Sequence, residues 1–212
     1  PAELGLRFQR HFGIPILDGI GSTEMLNMYL SNRPDHVHPG SAGWPVPGYD
    51  IELRDESGRP IAPPEHGSSQ PGDLYVRGPS SALMYWGNGA KTRATFQGEW
   101  VCSGDKFVLN DDGSHTYAGR ADDMIKVSGI FVSPFEVEAK LVEHPAVLEA
   151  AVVGVCDADG LVKTKAYVVL TPGASVTATE LQAFVKARLA PYKYPRTVEF
   201  IDELPKTATG KI

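Results

Sequence analysis

Tyr117-Ala118-Gly119-Arg120-Ala121-Asp122-Asp123-Met124-Ile125-Lys126-Val127-Ser128-Gly129 is the stretch where the pattern of the chain changes. Before it lie short strand-like runs at residues 49–54, 73–77, 100–103, 106–109 and 115–118. Turn formers such as Asp55-Glu56-Ser57-Gly58 and Asp111-Asp112-Gly113 separate them, and one helix is expected at 91–96. That is the pattern of an antiparallel β-region. After it, residues 124–127 and 130–132 read as a hairpin around Ser128-Gly129. Ser133-Pro134-Phe135-Glu136 then opens a helix, with Ser133 at the N-cap, Pro134 at the first helical position and Glu136 placed to close a capping box. Val137, Leu141 and Val142, flanked by Phe135 and Ala139, form its apolar side. β-rich runs at 147–155 and 165–171 follow. Thr177 and Glu180 make a second capping box before Leu181, Phe184, Val185 and Leu189, and a last strand is expected at 197–201.

The expected fold is therefore α/β (α+β): a β-rich region over residues 1–121, then a small α+β domain over 122–212. A junction this short lets two domains rotate about one or two residues. Towards the N-terminus, the apolar run at 14–18 reads as a buried strand ending in the loop Gly19-Ile20-Gly21-Ser22-Thr23-Glu24. Residues 32–47 carry Pro34, Pro39, Pro45 and Pro47 and read as irregular connection.

Composition narrows the function classes. The 212 residues are 42% hydrophobic and 22% charged, an ordinary globular balance. A net charge of −6 argues against a broad nucleic-acid surface, so any polyanion must meet a few placed cations. Two cysteines, Cys102 and Cys156, make at most one bridge and no metal knuckle. No apolar run is long enough for a membrane span and no leader pattern is visible, so no membrane partner and a cytoplasmic setting are expected. The chain opens on Pro1, not Met, and reads as an excised piece of something longer.

Several residue groups could carry chemistry. Ser22, Thr23 and Glu24 follow a glycine turn; hydroxyls suit phosphate oxygens and a carboxylate suits Mg²⁺, although the same triplet could cap a helix. Asp105 in Ser103-Gly104-Asp105 could hold a ribose diol or sit in a plain turn. Arg120, Asp122, Asp123 and Lys126 crowd the junction; the arginine fork suits sugar and phosphate oxygens, and the alternative is a local ion-pair knot. Lys206 and Lys211 lie in a polar glycine-bearing tail, where a lysine is either solvated charge or a point charge delivered to an anionic transition state. His36, His38, His66 and His115 show no metal-ligand spacing, and no serine–histidine pattern supports hydrolysis.

Taken in order, Gly21-Ser22-Thr23-Glu24, Gly72-Asp73-Leu74-Tyr75-Val76-Arg77-Gly78-Pro79, Ser103-Gly104-Asp105, the 117–129 stretch and residues 205–212 resemble the later motifs of the adenylate-forming superfamily. That superfamily includes acyl-CoA synthetases, peptide-synthetase adenylation domains and luciferases. The stretches 17–26, Met84-Tyr85-Trp86, 132–138, 161–164 and 189–196 make the chain most similar to benzoate-CoA ligases and other aryl-CoA ligases.

The resemblance implies two half-reactions. A carboxylate attacks the α-phosphate of Mg²⁺·ATP, giving an acyl-adenylate and pyrophosphate; the small domain then swings, and the thiol of CoA displaces AMP. By position, Glu24 resembles the Mg²⁺-binding glutamate and Thr23 the phosphate-contacting threonine, with Gly21 and Ser22 beside the nucleotide. Asp105 resembles the ribose-holding aspartate and Arg120 a second ribose contact. Asp122 falls at the hinge, Gly129 at the CoA tunnel and Lys211 at the catalytic lysine. Gly19, Gly21 and Met25 flank the expected acyl pocket, the glycines leaving space for a flat ring, and Lys126 is expected near the carboxylate in one domain orientation. Ile20 stands where an adenine-stacking aromatic is usual, and Ser103 where a threonine is usual.

The resemblance implies that this is the C-terminal part of the enzyme, lacking the family's glycine- and serine-rich phosphate loop and having little or no ligase activity alone. A small aromatic acid, ATP and CoA are the expected partners, and the oligomeric state is open, with a homodimer among the options. Two other readings stand beside it: an adenylation domain that loads a carrier protein, and a non-catalytic binding module.

Overall fold

In the computed structural model, the described residues are 2–206 apart from Ser68, Ser128, Ala158 and Asp159. The chain forms two compact units, meeting in sequence between Asp122 and Asp123.

The first unit opens with helix α1 (Ala2–Phe12), which the sequence reading missed. Residues 14–18 are exposed and irregular, so the buried strand expected there is not found. A strand needs a ladder partner, and no described segment pairs with this run. The strand begins instead at the supposed loop: β1 (Gly19–Ser22) pairs antiparallel with β2 (Asn27–Ser31), which pairs with β3 (Trp44–Pro45). A second antiparallel sheet holds β4 (Asp50–Arg54) and β5 (Gly72–Arg77). After α2 (Gly89–Thr95), capped by Asn88, come β6 (Phe96–Gln97), β7 (Trp100–Leu109) and β8 (His115–Arg120). The sheet order is β4-β5-β7-β6, with β8 also on β7. Residues 100–103 and 106–109 are one strand, not two. Gly104, at φ +77°, and register shifts carry the ladder through the middle. One core of Met25, Tyr29, Leu30, Tyr49, Leu53, Leu74, Val76, Val101 and Phe107 ties both sheets together.

The second unit begins with the hairpin β9 (Ile125–Val127) and β10 (Ile130–Val132). Helix α3 (Pro134–Val142) follows, then β11 (Val147–Cys156), β12 (Val162–Leu170), α4 (Ala178–Lys186) and β13 (Thr197–Phe200). β11 and β12 are antiparallel, whereas β12 and β13 are parallel, joined through α4 as a crossover requires. Val137 and Leu141 of α3 and Leu181 and Val185 of α4 are fully buried against the strands. The Thr177–Glu180 capping box is complete in both directions. The box at α3 is only half made. Ser133 accepts from the Glu136 N–H at 3.1 Å, but the Glu136 carboxylate takes both its oxygens to Lys193, at 2.7 and 2.6 Å. A lysine ammonium outcompetes a backbone N–H for a carboxylate within reach.

Candidate functional site

The β1–β2 hairpin builds the first part of the site. Its register runs Ile20↔Leu30 then Gly21↔Met28, which leaves Tyr29 as the extra residue of a β-bulge. A bulge re-aims a side chain out of strict alternation. Tyr29 and Leu30 are consecutive, yet both are fully buried. The Tyr29 and Ser22 hydroxyls are both buried, and Ser22 acts on the Tyr29 phenol and on the Glu24 carboxyl. The turn between the strands carries Thr23 and Glu24 and is closed by the N–H groups of Met25 and Leu26 donating to the carbonyls of Ser22 and Thr23. Leu26 sits there at φ +55°, an uncommon conformation for a bulky residue.

The segment around residues 80–85 grips this turn. The Tyr85 hydroxyl donates to Glu24 Oε1 at 2.5 Å, the Ala82 N–H donates to the Glu24 carbonyl at 2.7 Å, and the Ser80 hydroxyl donates to the Met25 carbonyl. Lys91 Nζ lies 4.2 Å from the centre of the Tyr85 ring. Burial alone would raise the Glu24 carboxyl. The Tyr85 hydrogen bond leads the effects that outweigh it, and Glu24 is held below the usual carboxylate range.

The second part comes from β7 and β8. Asp105 and Arg120 are register partners, and Arg120 Nη1 lies 3.2 Å from Asp105 Oδ1. Arg120 also donates to the Ser103 carbonyl and meets Asp122 Oδ1, both at 3.4 Å. The Ser103 hydroxyl accepts from the Asp105 N–H at 3.1 Å. Burial pushes the Asp105 carboxyl up, and the guanidinium only partly offsets this.

The two parts converge. Burial raises the Tyr29 phenol well above its usual range, and the charges of Asp105, Glu24 and Arg120 all act on it. Arg120 and Glu24 likewise both act on the Tyr85 phenol. Two carboxylates and a guanidinium thus lie within electrostatic reach of the two tyrosines, and a polyoxygen ligand or a hard cation is the chemistry such charges suit. No group of three or more His, Cys, Asp and Glu is placed to hold a metal among the described residues. A single carboxylate completed by substrate phosphates is the arrangement Mg²⁺ commonly takes.

Other residues lie differently from the sequence expectation. A Cβ on Gly19 would strike Met28 Cε and the Leu30 carbonyl at 2.4 and 2.6 Å, and one on Gly21 would strike the Asn27 carbonyl at 2.5 Å. These glycines admit the neighbouring strand; they do not open space for a ring. Met25 is fully buried in the core, whereas Met28, opposite Gly21, is exposed. Ile20 packs on the core. Lys126 lies in the second unit with its ammonium 5.2 Å from the Phe131 ring centre, and Gly129 sits there at φ +85°. Lys211 lies outside the described residues. His38 Nδ1 meets both Asp112 Oδ2, at 2.8 Å, and the Ser114 hydroxyl, at 2.9 Å. A hydrolytic relay needs the two ring nitrogens for two different partners. Ser114 is also fully buried, so this cluster is structural. Tyr85 and Tyr29 were missed as site residues by the sequence reading. For Tyr29, two consecutive buried positions in a strand leave no periodic signal.

Family comparison settles the class. The family model for AMP-binding enzymes matches residues 1–86, and that for the AMP-binding enzyme C-terminal domain matches residues 136–211. The chain thus carries two stretches that match domains of AMP-binding enzymes. It is 58% identical to a benzoate–CoA ligase of Thauera aromatica, across the whole chain and 40% of that relative. A benzoate CoA ligase structure from Burkholderia xenovorans LB400 superposes with a TM-score of 0.90 at 59% identity, covering all of the chain and 42% of its own length. An anthranilate CoA ligase solved with anthranoyl-AMP superposes at 0.91 with 45% identity, covering all of the chain and 41% of its own length. The chain thus spans about 40% of the length of the relatives it matches. No described helix is long and apolar enough to cross a membrane.

Proposed function

We propose that the chain is the C-terminal part of an ATP-dependent, AMP-forming ligase that joins an aromatic acid of the benzoate class to CoA through an acyl-adenylate. The observation that carries this is the Asp105–Arg120 pair, closed at 3.2 Å across β7 and β8 in the same compact unit as the Glu24 turn. The relatives named as benzoate and anthranilate CoA ligases support the substrate class. Residues 1–121 then belong to the large adenylating domain and 122–212 form the small mobile domain. The setting is cytoplasmic, and neither nucleic acid nor membrane is a partner.

In this reading Asp105 accepts from the ribose hydroxyls, and Arg120, anchored at Asp105 and Asp122, presents a second fork to the sugar. Thr23, exposed on the turn, faces the phosphates, with Ser22 beside it. Glu24, held below the usual carboxylate range, is the residue that would hold Mg²⁺, and the ion would supply charge neutralisation to the phosphates. Lys211 bridges the substrate carboxylate and the nucleotide. The acid lies along the exposed edge of the β1–β2 hairpin, beside Gly21 and Met28. Rotation at Asp122 then exchanges Lys211 for the face bearing Lys126 and Gly129, letting the thiol reach the acyl carbon and AMP leave.

The test is product analysis on the longer protein with benzoate, ATP, Mg²⁺ and CoA. Benzoyl-CoA, AMP and pyrophosphate formed in equal amounts support the proposal. An adenylate passed to a carrier protein but not to CoA would replace it with the carrier-loading reading. The 212-residue chain alone should give no turnover, since the reading places the phosphate loop outside it.

A further inference from the structure

The strongest unassigned feature is the three-point grip on the Glu24 turn. A glutamate on an exposed turn has three side-chain torsions to fix before it can serve as a ligand, and that ordering costs free energy. Here the cost is met in advance. The Ala82 N–H fixes the Glu24 carbonyl, the Ser80 hydroxyl fixes the next carbonyl, and Tyr85 fixes the carboxylate itself. Ser80 is in turn held by the Tyr49 hydroxyl at 2.6 Å, rooted in the core. Tyr85 is held by its backbone N–H on the Thr92 hydroxyl at 3.1 Å and by its ring on Phe96, with centroids 5.5 Å apart. Lys91 Nζ also packs on that ring, 4.2 Å from its centre.

We propose that Tyr85 is a positioning residue for the divalent cation: its hydroxyl occupies Glu24 Oε1 and turns the remaining oxygen toward the metal. A carboxylate offers about four lone-pair sites on two oxygens, so one donated hydrogen bond fixes its plane without using up its acceptor capacity. Outer partners of metal ligands set ligand orientation, and removing one commonly weakens the metal about 10- to 100-fold. Tyr85 itself touches neither metal nor substrate. The proposal rests on the reading of Glu24 as the metal residue.

The experiment compares the longer protein with its Tyr85→Phe and Glu24→Gln variants. Tyr85→Phe keeps the ring, and with it the Phe96 and Lys91 contacts. Mn²⁺ is titrated by electron paramagnetic resonance in the presence of an α,β-methylene ATP analogue, and AMP affinity is measured without metal. The expected result is a Mn²⁺ dissociation constant raised at least tenfold in both variants, with metal-free AMP affinity within twofold for Tyr85→Phe. A purely structural tyrosine would weaken AMP and Mn²⁺ together, and that outcome overturns the proposal. A Mn²⁺ affinity within twofold in Tyr85→Phe while Glu24→Gln loses the metal overturns it and leaves the Glu24 reading standing. No loss in Glu24→Gln removes the Glu24 reading and this inference with it. A Tyr85→Phe protein that no longer melts cooperatively makes the hydroxyl a folding group and overturns it too.

Discussion

Asp105 and Arg120 are directly opposed across β7 and β8, and their side chains close on each other at 3.2 Å. One register position therefore presets the pair. The carboxylate is mostly buried, at 13% exposure, whereas the guanidinium is 45% exposed. Gly104 keeps the space between them: a Cβ there would lie 3.0 Å from Arg120 Nη2, on a backbone already at φ +77°. The acceptor is thus sheltered and its cation reaches outward, which suits a sugar arriving from solvent.

Asp105→Asn preserves this shape and removes the charge. A hydrogen bond to a charged group contributes about 1.5–3 kcal/mol, so AMP affinity in the longer protein should fall about 10- to 100-fold. Arg120→Ala should weaken AMP as well, because it leaves a mostly buried carboxylate without its cation. Calorimetric titration measures both. Affinities within twofold of the unsubstituted protein would remove the pair from the nucleotide site.

Two glycine substitutions should act in opposite directions. Gly21→Ala drives its methyl against the Asn27 carbonyl at 2.5 Å and Met28 Cα at 2.8 Å, both backbone atoms that cannot swing away. The hairpin must open, and a loss of about 1–3 kcal/mol is expected, as for overpacking. Gly5 lies inside α1 with nothing within 4 Å of its missing Cβ. Gly5→Ala should therefore stabilise α1 by up to about 1 kcal/mol. Thermal melting separates them; a neutral Gly21→Ala would show that the strands are looser than the geometry implies.

The sequence carried the second unit well because its signals are local. Thr177 and Glu180 are three residues apart and make the box that their spacing announces. It carried the first unit less well because the deciding partners are remote. Residues 14–18 have strand composition and no ladder. Gly19 and Gly21 look like space until β2 is seen lying against them. Glu24 and Asp105 could be named from residue pattern alone. Tyr85 could not, because nothing in the 61-residue separation between it and Glu24 predicts that they touch.

Acid sensitivity should centre on His115. The residue is 6% exposed, and burial pulls its imidazole down to about 4, from the ordinary 6.5. The unfolded chain therefore binds a proton that the folded chain refuses between these values. Stability of the first unit is full above pH 6.5 and is lost as pH falls towards 4. The loss amounts to about 3 kcal/mol, taking 1.36 kcal/mol per pH unit. Asp112, held down to about 2, adds its own loss only at lower pH. A His115→Gln variant, neutral throughout, should flatten the melting temperature between pH 6.5 and 4. An unchanged slope would place the acid-labile group elsewhere.

The caps of the second unit give a sharper contrast. Both helices have a hydroxyl N-cap and a glutamate three residues on, so the sequence treats them alike. Thr177→Ala and Ser133→Ala should each cost about 1 kcal/mol, with the larger loss at the buried Ser133. The glutamates should differ. Glu180 is bonded to the Thr177 N–H and hydroxyl, at 2.8 and 2.7 Å, so Glu180→Ala should couple to Thr177→Ala in a double-mutant cycle. Glu136 is spent on Lys193 across 57 positions, so Glu136→Ala should couple to Lys193→Ala instead. With the carboxylate 37% exposed, that coupling should reach only a few tenths of a kcal/mol. Urea unfolding of the five single variants and of the Thr177/Glu180, Glu136/Lys193 and Ser133/Glu136 double variants decides it. Coupling of Glu136 to Ser133 and not to Lys193 would restore the capping box that the sequence implied.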